Sequence, residues 1–116
     1  MPVLKSSEAK PTIVKEGVTR RLVYTNNLMM VVIDFTKGPW SAPDPPHSHP
    51  HEQTTYVEAG EIIFFCDGEP DKKLSAGDMF WVPSNKSHTI QLLSKSARLI
   101  DSFNPIREEF LETKKP

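Results

Sequence analysis

Three of the chain's four histidines lie within five positions, as His47, His49 and His51. Alternate side chains of an extended segment point to the same face, so His47, His49 and Gln53 can converge on one point. Histidines two positions apart lie about 6.6 Å apart along a strand, and their nitrogens can then bind one ion at about 2.0–2.2 Å. This spacing indicates a metal site, although nothing in it requires His51 as a ligand. Glu52 has the opposite parity and would point away from the site if the strand is regular.

The remaining histidine, His88, follows a turn-rich segment and begins another apolar run. The segment contains Gly77, Pro83 and Asn85, residue types that favour turns between strands. A histidine that begins a strand beside the first pair could complete a ligand set, whereas a lone histidine is more often an ordinary surface or core side chain. The residues alone leave both alternatives open.

The elements that must position these side chains are short β-strands. Apolar runs recur about every 8–12 residues between turns, which is typical of a β-sandwich or barrel. The runs are 18–27, 28–35, 53–59, 61–67, 71–78, 79–83, 88–94 and 97–103, with a proline-rich loop at 37–46. Only the tail after Pro105 has helical propensity, over about two turns. The sequence therefore predicts an all-β fold in which the run 28–35 is buried on both faces and 71–78 is an edge strand.

Length and composition indicate one domain. The chain of 116 residues is 37% hydrophobic and 25% charged, which suits one ordinary core. We expect residues 1–11 to form a flexible N-terminal arm and residues 12–116 to form the β-barrel domain with a C-terminal tail.

Charge and cysteine content limit the partners and the compartment. The net charge of -1 provides no basic footprint for nucleic acid or an anionic membrane. No run approaches the roughly 20 apolar residues that span a bilayer, and no signal peptide is visible. The single Cys66 suits a reducing compartment. We therefore predict a cytoplasmic protein that binds neither nucleic acid nor a membrane.

The run 61–67 carries apolar side chains on both faces. Ile62, Phe64 and Cys66 share one parity, and Ile63 and Phe65 share the other. A small barrel buries only one face of each strand, so the second face needs another layer or a partner. We therefore predict a homodimer.

The first histidine segment, HSHPHEQTTYVEAG, resembles the first motif of the cupin superfamily. His47, His49 and Gly60 match that motif, which usually reads G-x5-H-x-H-x3-4-E-x6-G. Gln53 stands where glutamate is usual, and Ser41 stands in place of the opening glycine.

The segment GDMFWVPSNKSH resembles the second cupin motif, which usually reads G-x5-P-x-G-x2-H-x3-N. Gly77, Pro83 and His88 match it, while Asn85 replaces a glycine and Leu92 replaces the asparagine. The two motifs occur in the family's order and at its spacing.

This resemblance implies a single-domain cupin, which is a jelly-roll-like double-stranded β-helix barrel. It also implies a divalent transition metal ion held by His47, His49, Gln53 and His88. The neutral amide of Gln53 leaves the ion's charge uncompensated, which favours a Lewis acid that acts on an anionic substrate. Imidazole and amide ligands suit Ni, Zn, Fe, Mn or Co, so the ligand types leave the ion unidentified.

The tail DSFNPIREEFL, together with HSHPHEQ, is similar to small single-domain cupins related to the pectin-degradation protein KdgF. Members of that group linearise 4,5-unsaturated uronates to open-chain keto-deoxyuronates. The resemblance implies a small sugar-acid substrate and catalytic roles for Asp101, as a proton shuttle, and Phe103. An aspartate bonded to backbone amides and a phenylalanine of the core are the alternatives for these two residues.

Two other functions stay open from the sequence. One is a quercetinase-like cupin dioxygenase, which would need a redox ion and prefer an anionic ligand. The other is a non-catalytic sugar-binding cupin. Four side chains are further candidates for the pocket wall: Tyr56, Phe64, Trp81 and Gln91. By parity Arg98 points away from Asp101, and we expect Arg107 to fix the tail through an ion pair.

Overall fold

The computed structural model describes residues 2–112, which form nine β-strands and one short helix. The strands are β1 (Thr12–Lys15), β2 (Val18–Tyr24), β3 (Met29–Phe35), β4 (Glu52–Ala59), β5 (Glu61–Cys66), β6 (Lys72–Ser75), β7 (Met79–Val82), β8 (His88–Leu92) and β9 (Ala97–Asn104), and the helix is α1 (Glu109–Glu112). The all-β prediction is confirmed, and the tail contains a helical turn at Glu109–Glu112, beyond which the expected helix lies outside the described residues. Within residues 2–112, no helix has the length and apolar character needed to cross a membrane.

The strands form two antiparallel sheets that face each other across the core. The larger sheet has the order β1-β2-β3-β9-β4-β7, and the smaller has the order β6-β5-β8. The predicted edge strand is β6, which pairs only with β5. Because β9 lies between β3 and β4, residues far apart in sequence share the inner face of the larger sheet.

Two apolar clusters fill the interior. The larger one contains Ile62 and Leu92 from the smaller sheet and Val57 from the larger sheet, all completely buried. The smaller one contains Met29, Val31 and Phe103, with Ile106, Phe110 and Leu111 packed against it. The tail therefore folds back and closes one end of the barrel.

The structure corrects the expectation that the run 28–35 is buried on both faces. Strand β3 alternates: Met29, Val31 and Phe35 are buried, whereas Met30 is exposed. The apolar run reads as a fully buried strand because its outward residues, Met30 and Val32, are also apolar.

The exposed apolar face of this chain lies on the larger sheet rather than on β5. Ile62, Phe64 and Cys66 point into the core, and Ile63 and Phe65 on the other face are half-buried. On the outer face of the larger sheet the exposed apolar side chains are Ile13, Val23, Met30, Tyr56, Met79 and Trp81. Met79 and Trp81 are 69% and 72% exposed, which makes this face the candidate for contact with a second chain.

The proline-rich loop runs along β8 and leads to the histidine segment. The backbone N–H of Trp40 donates to the Leu92 carbonyl, and that of Asp44 donates to the Ile90 carbonyl. The Gln91 side-chain amide donates to the Trp40 carbonyl at 2.9 Å. These bonds fix the loop along the edge of the smaller sheet, so the following histidines arrive beside the start of β8.

Candidate metal and active site

Two chain segments bring His47, His49 and His88 together, which is one of the two alternatives that the residues left open for His88. The loop before β4 supplies His47 and His49, and β8 begins at His88. The backbones of His47 and His88 exchange two hydrogen bonds, of 3.0 and 2.9 Å. The ring centroid of His88 lies 4.4 Å from that of His47 and 4.9 Å from that of His49. One ring nitrogen from each residue lies within 4.8 Å of the others, which is close enough for a shared ion.

Asn85 shapes the turn that leads into His88. Its φ of 65° is in the left-handed region, where glycine is favoured and asparagine is the best-tolerated alternative. Its backbone N–H donates to the His49 carbonyl at 2.7 Å, and the Ser84 hydroxyl donates to the Pro50 carbonyl at 2.6 Å. Asparagine can therefore replace the usual glycine here, and the turn ties the two histidine segments together.

Backbone carbonyls fix the tautomers of two histidines. His49 Nδ1 lies 2.9 Å from the His51 carbonyl oxygen, and His88 Nδ1 lies 2.9 Å from the Lys86 carbonyl oxygen. A carbonyl oxygen only accepts, so each Nδ1 carries the proton. In the neutral rings each Nε2 then has a free lone pair, which is the form that binds a metal.

Burial keeps these imidazoles neutral. The pKa of His88 is lowered from 6.5 to about 4, mainly by desolvation; the neighbouring His47 and His49 and the charge of Arg107 add to the lowering, and the hydrogen bond to the Lys86 carbonyl opposes it. Desolvation is also the main cause that lowers the pKa values of His47 and His49. Near pH 7, protons therefore compete little with a metal ion for the nitrogens of the three rings.

A chain of side-chain hydrogen bonds joins Gln53 to Asp101. The Gln53 amide Nε2 donates to the Thr55 hydroxyl at 2.9 Å, and that hydroxyl donates to Asp101 Oδ1 at 2.7 Å. All three side chains are buried. Gln53 and Thr55 share the inner face of β4, and Asp101 pairs with Thr55 from β9. Because the Gln53 nitrogen is used by Thr55, its carbonyl oxygen Oε1 must point the other way, toward His49.

The donor set fits a cation. Gln53 Oε1 lies 3.2 Å from His49 Nε2. With the His49 proton on Nδ1, both of these atoms carry lone pairs and neither has a hydrogen to donate. Two buried acceptors face each other unfavourably unless a positive charge lies between them. The arrangement therefore suits an ion bound by Gln53 Oε1 together with Nε2 of His49, Nε2 of His88 and a ring nitrogen of His47.

This chain of bonds also explains why residue 53 is not a glutamate. The Thr55 hydroxyl has a single proton, which it gives to Asp101. A glutamate at position 53 would put a second carboxylate on the same hydroxyl, and one of the two acceptors would lose its donor. The amide of Gln53 supplies its own hydrogen, so all three groups are satisfied.

Asp101 is a buried carboxyl group with an unusual pKa. Burial raises the pKa from 3.8 to about 6, although the Thr55 hydrogen bond and the charge of Arg107 both act to lower it. Among the described residues only Thr55 donates to this carboxyl, and it contacts Oδ1 and not Oδ2. A carboxyl group with a pKa near neutrality can both accept and return a proton.

The site opens into a cavity of about 500 Å³ between the two sheets. Its polar wall includes Arg20, His47, Gln53, His88, Asp101 and Arg107, and its apolar wall includes Phe35, Phe80, Leu99, Phe103 and Phe110. A cavity of this size can hold a monosaccharide.

Phe103 belongs to both the core and the cavity wall. Its ring packs edge-on against His49, with 5.8 Å between centroids, and the Arg107 guanidinium lies 5.1 Å from its centroid. It is 2% exposed. Phe103 therefore supports a metal-site histidine on one side and the cavity on the other.

Several side chains that the sequence suggested for the pocket wall lie elsewhere in the structure. Four candidate pocket residues, Tyr56, Phe64, Trp81 and Gln91, do not line this cavity. Tyr56 and Trp81 are on the outer face of the sheet, Phe64 is in the core and Gln91 holds the proline-rich loop. Parity along each strand would have excluded Tyr56 and Trp81, since Gln53 is on the other face.

Both arginines interpreted from the sequence form ion pairs. Arg98 binds Asp34 at 2.6 Å on the outer face, and Arg107 binds Glu109 at 2.9 Å in the tail, as expected. Arg107 also lines the cavity, which parity in a tail could not show. Sequence reasoning missed Thr55 and Arg20, although Thr55 shares its parity with Gln53 and Arg20 shares its parity with the core residue Val18.

Comparison with known proteins agrees with this geometry. Residues 31–103 match the family model described as "Cupin domain". The pectin degradation protein KdgF of Dickeya dadantii (strain 3937) is 36% identical over 98 residues, covering 83% of this chain and 86% of that protein.

Two solved structures have the same fold. An RmlC-like cupin from Shewanella frigidimarina superposes with a TM-score of 0.82 at 34% identity, covering 92% of this chain and 93% of that one. KdgF from a Halomonas species superposes with a TM-score of 0.81 at 31% identity, covering 91% of this chain and 96% of that one. Both motif resemblances, to cupins and to KdgF, are thereby confirmed.

Removing one imidazole is expected to abolish stable metal binding. Loss of a residue that only hydrogen-bonds a metal ligand lowers metal affinity roughly 10–100-fold. Because His49→Ala and His88→Ala each remove a ligand itself, we expect each to lower metal affinity by more than this. Metal analysis after dialysis against a limiting divalent ion measures the effect. His51→Ala is the matched control, because its backbone carbonyl still holds His49. Equal metal content in the wild type and His49→Ala would contradict the assignment.

The buried carboxyl of Asp101 should make the metal-free protein less stable as pH rises. Its pKa is raised in the folded state, so folding is favoured while the group is protonated, and this stability is lost between about pH 4 and pH 6. We expect Asp101→Asn to remove the loss, which makes the variant up to about 3 kcal/mol more stable than the wild type at pH 8.

Denaturant unfolding of both proteins after chelation, from pH 4 to pH 8, measures this difference. Contributions that the two proteins share cancel in the difference between the two curves, which isolates Asp101. Asp71→Asn, which changes an exposed aspartate, is the control for the exchange itself. Parallel curves for the wild type and Asp101→Asn would show that the carboxyl is not perturbed.

Proposed function

Because this chain belongs to the cupin family and is similar to KdgF over most of its length, we propose that it is a metal-dependent enzyme that opens the ring of a 4,5-unsaturated uronate. The observation that carries this proposal is Asp101, a buried carboxyl with a raised pKa that lines the same cavity as His47 and His88, two of the three grouped histidines. The function places the protein in the breakdown of pectin-type polysaccharides.

The proposed reaction is an isomerisation that needs one proton to leave and one to return. The cyclic substrate is a hemiacetal whose ring oxygen is also part of an enol ether at C5. Loss of the C1 hydroxyl proton breaks the bond between C1 and the ring oxygen, whose electron pair stays on that oxygen, and this gives an aldehyde at C1 and an enolate at C5. Protonation of C4 then converts the enolate to a ketone. The product is the open-chain keto-deoxyuronate, and no oxidant or reductant is required.

Asp101 is suited to move both protons. Its Oδ2 atom is not hydrogen-bonded by any described residue, while Thr55 holds Oδ1. In the ionised form Oδ2 accepts the proton from the C1 hydroxyl, and the neutral acid then delivers a proton to C4. A pKa of about 6 keeps both forms accessible near neutral pH, which general acid–base catalysis requires.

The remaining site residues hold the substrate and the ion. His47, His49, Gln53 and His88 would bind a divalent transition metal, through three imidazole nitrogens and one amide oxygen. Such an ion supplies Lewis-acid polarisation of a substrate oxygen when bound. Phe103 forms an apolar wall against which the sugar ring packs and helps to exclude water from the cavity.

Asp101→Asn is expected to lower kcat for the unsaturated uronate by about 10²–10⁴-fold while metal content stays unchanged. The asparagine still accepts the Thr55 hydrogen bond but cannot carry a proton between two substrate atoms. The measurement is the loss of ultraviolet absorbance when unsaturated galacturonate is mixed with metal-loaded protein. Asp71→Asn, which changes an exposed aspartate, should have wild-type activity.

The spontaneous opening of the substrate sets the baseline of this assay. A wild-type rate equal to that baseline would refute the proposed function. Oxygen uptake with a flavonoid would favour a dioxygenase instead, and binding of the uronate without turnover would favour a sugar-binding cupin.

We propose in addition that the active form is a homodimer that buries the outer face of the larger sheet. On this face the exposed Trp81 of β7 lies beside Thr54 of β4, and the exposed Met79 of β7 lies beside Tyr56 of β4. Introducing a charge by Trp81→Glu should shift the protein from dimer to monomer in analytical ultracentrifugation, because the charge would be desolvated in the interface. Lys95→Glu, which changes an exposed lysine in the loop between β8 and β9, is the control. A monomeric wild type would exclude this dimer.

A further inference from the structure

Arg20 is the one arginine of this chain that points into the cavity from β2. Strand β2 alternates, so Arg20 shares the inner face with Val18 and Leu22, while Arg21 lies on the outer face. The residue lies in the same cavity wall as His47 and Asp101, on the strand next but one to β9. Its cationic head group is therefore placed where the substrate would lie.

Among the described residues, Arg20 has no carboxylate partner. The other three arginines each have one: Arg21 and Arg98 contact Asp34, and Arg107 contacts Glu109. The Arg20 Nε atom is buried without any hydrogen-bond partner. Burying an unpaired cation is unfavourable, so the residue is poised to gain from an anion that enters the cavity.

The surroundings of Arg20 are themselves positive. Burial is the main cause that lowers its pKa, and the charge of Arg107 lowers it further, while Glu109 acts in the opposite direction. Arg107 also lowers the pKa values of the three histidines, which shows how far its charge reaches into the site. An anion bound here would meet two guanidinium groups.

Packing holds the Arg20 guanidinium in place. Its central carbon lies 3.7 Å from the centroid of the Phe110 ring, a cation–π contact. The face of the group is thereby covered by Phe110, and its edge, which carries the N–H donors, is the part left for a ligand. A planar group held in this way loses little freedom when it binds a carboxylate through two N–H bonds.

We propose that Arg20 binds the carboxylate of the substrate and thereby sets the enzyme's preference for uronates over neutral sugars. The proposal rests on the proposed function for the identity of the substrate, although it concerns binding and not the chemical step. Arg107 adds a second positive charge, and α1 contributes Phe110 as the support.

The test compares a uronate with its neutral ester. Calorimetry measures binding of galacturonate and of its methyl ester to the metal-loaded wild type, to Arg20→Met and to Arg20→Lys. We expect Arg20→Met to weaken galacturonate binding about 10–100-fold, as the loss of hydrogen bonds to a charged group predicts, and to leave binding of the methyl ester unchanged. Arg20→Lys keeps the charge without the planar fork and should give an intermediate loss.

Arg21→Met is the matched control, because it changes the neighbouring arginine on the outer face of the same strand. In steady-state assays with unsaturated galacturonate, Arg20→Met should raise KM with little change in kcat, since the interaction is present in both the ground state and the transition state. Metal content and thermal unfolding verify that the variants are folded and loaded.

The outcomes separate this proposal from the proposed function. Equal galacturonate affinity in the wild type and a folded Arg20→Met would overturn the role of Arg20, even if the enzyme turns over the uronate. A loss of affinity in Arg20→Met would support it, even if the wild type proves inactive on the unsaturated sugar. If Arg20→Met does not fold, Arg20→Lys decides: unchanged galacturonate affinity overturns the proposal, and weaker binding supports it.

Discussion

The single proton on the Thr55 hydroxyl determines how the polar side chains of the site are oriented. The hydroxyl gives this proton to Asp101, so it can only accept from residue 53, and the Gln53 amide must turn its nitrogen toward Thr55. The Gln53 carbonyl oxygen then faces His49 Nε2. Two hydrogen bonds through the Thr55 hydroxyl thus connect the Asp101 carboxyl to the proposed metal ligands, and they make Gln53 and Asp101 a matched pair. A glutamate ligand and an ionised Asp101 would compete for the same proton.

The backbone supports this site from two directions. Hydrogen bonds from the proline-rich loop run along β8 and end in the His47–His88 pair, so the loop is an additional partner of the smaller sheet. The left-handed turn at Asn85 holds the His49 carbonyl from the other side. In addition, β9 places Asp101 and Phe103 opposite Thr55 and Gln53 of β4. Side chains that must be positioned closely are therefore attached to paired backbone, which limits their movement.

The electrostatics of the cavity favour an anionic ligand. Burial keeps the histidines neutral and raises the pKa of Asp101, so the groups that carry lasting charge at the cavity wall include Arg20 and Arg107. Glu109 pairs directly with Arg107 and acts on Arg20 only from a longer distance, and Arg20 forms no ion pair with any described residue. Because Gln53 is neutral where a glutamate would be negative, the net charge of the cavity wall is more positive. A sugar acid fits this positive wall better than a neutral sugar does.

The sequence by itself determined the all-β fold, the histidine pair and the family, because strand periodicity and motif spacing are local properties of the chain. It also placed Asp101 and Phe103 in the site through resemblance to known cupins. The tertiary structure decided which strands are neighbours, and so it alone revealed that Thr55 joins Gln53 to Asp101 and that Arg20 faces them from β2. The exposed apolar face also lies on the larger sheet instead of β5, since burial depends on which elements cover a strand and not on its own residues.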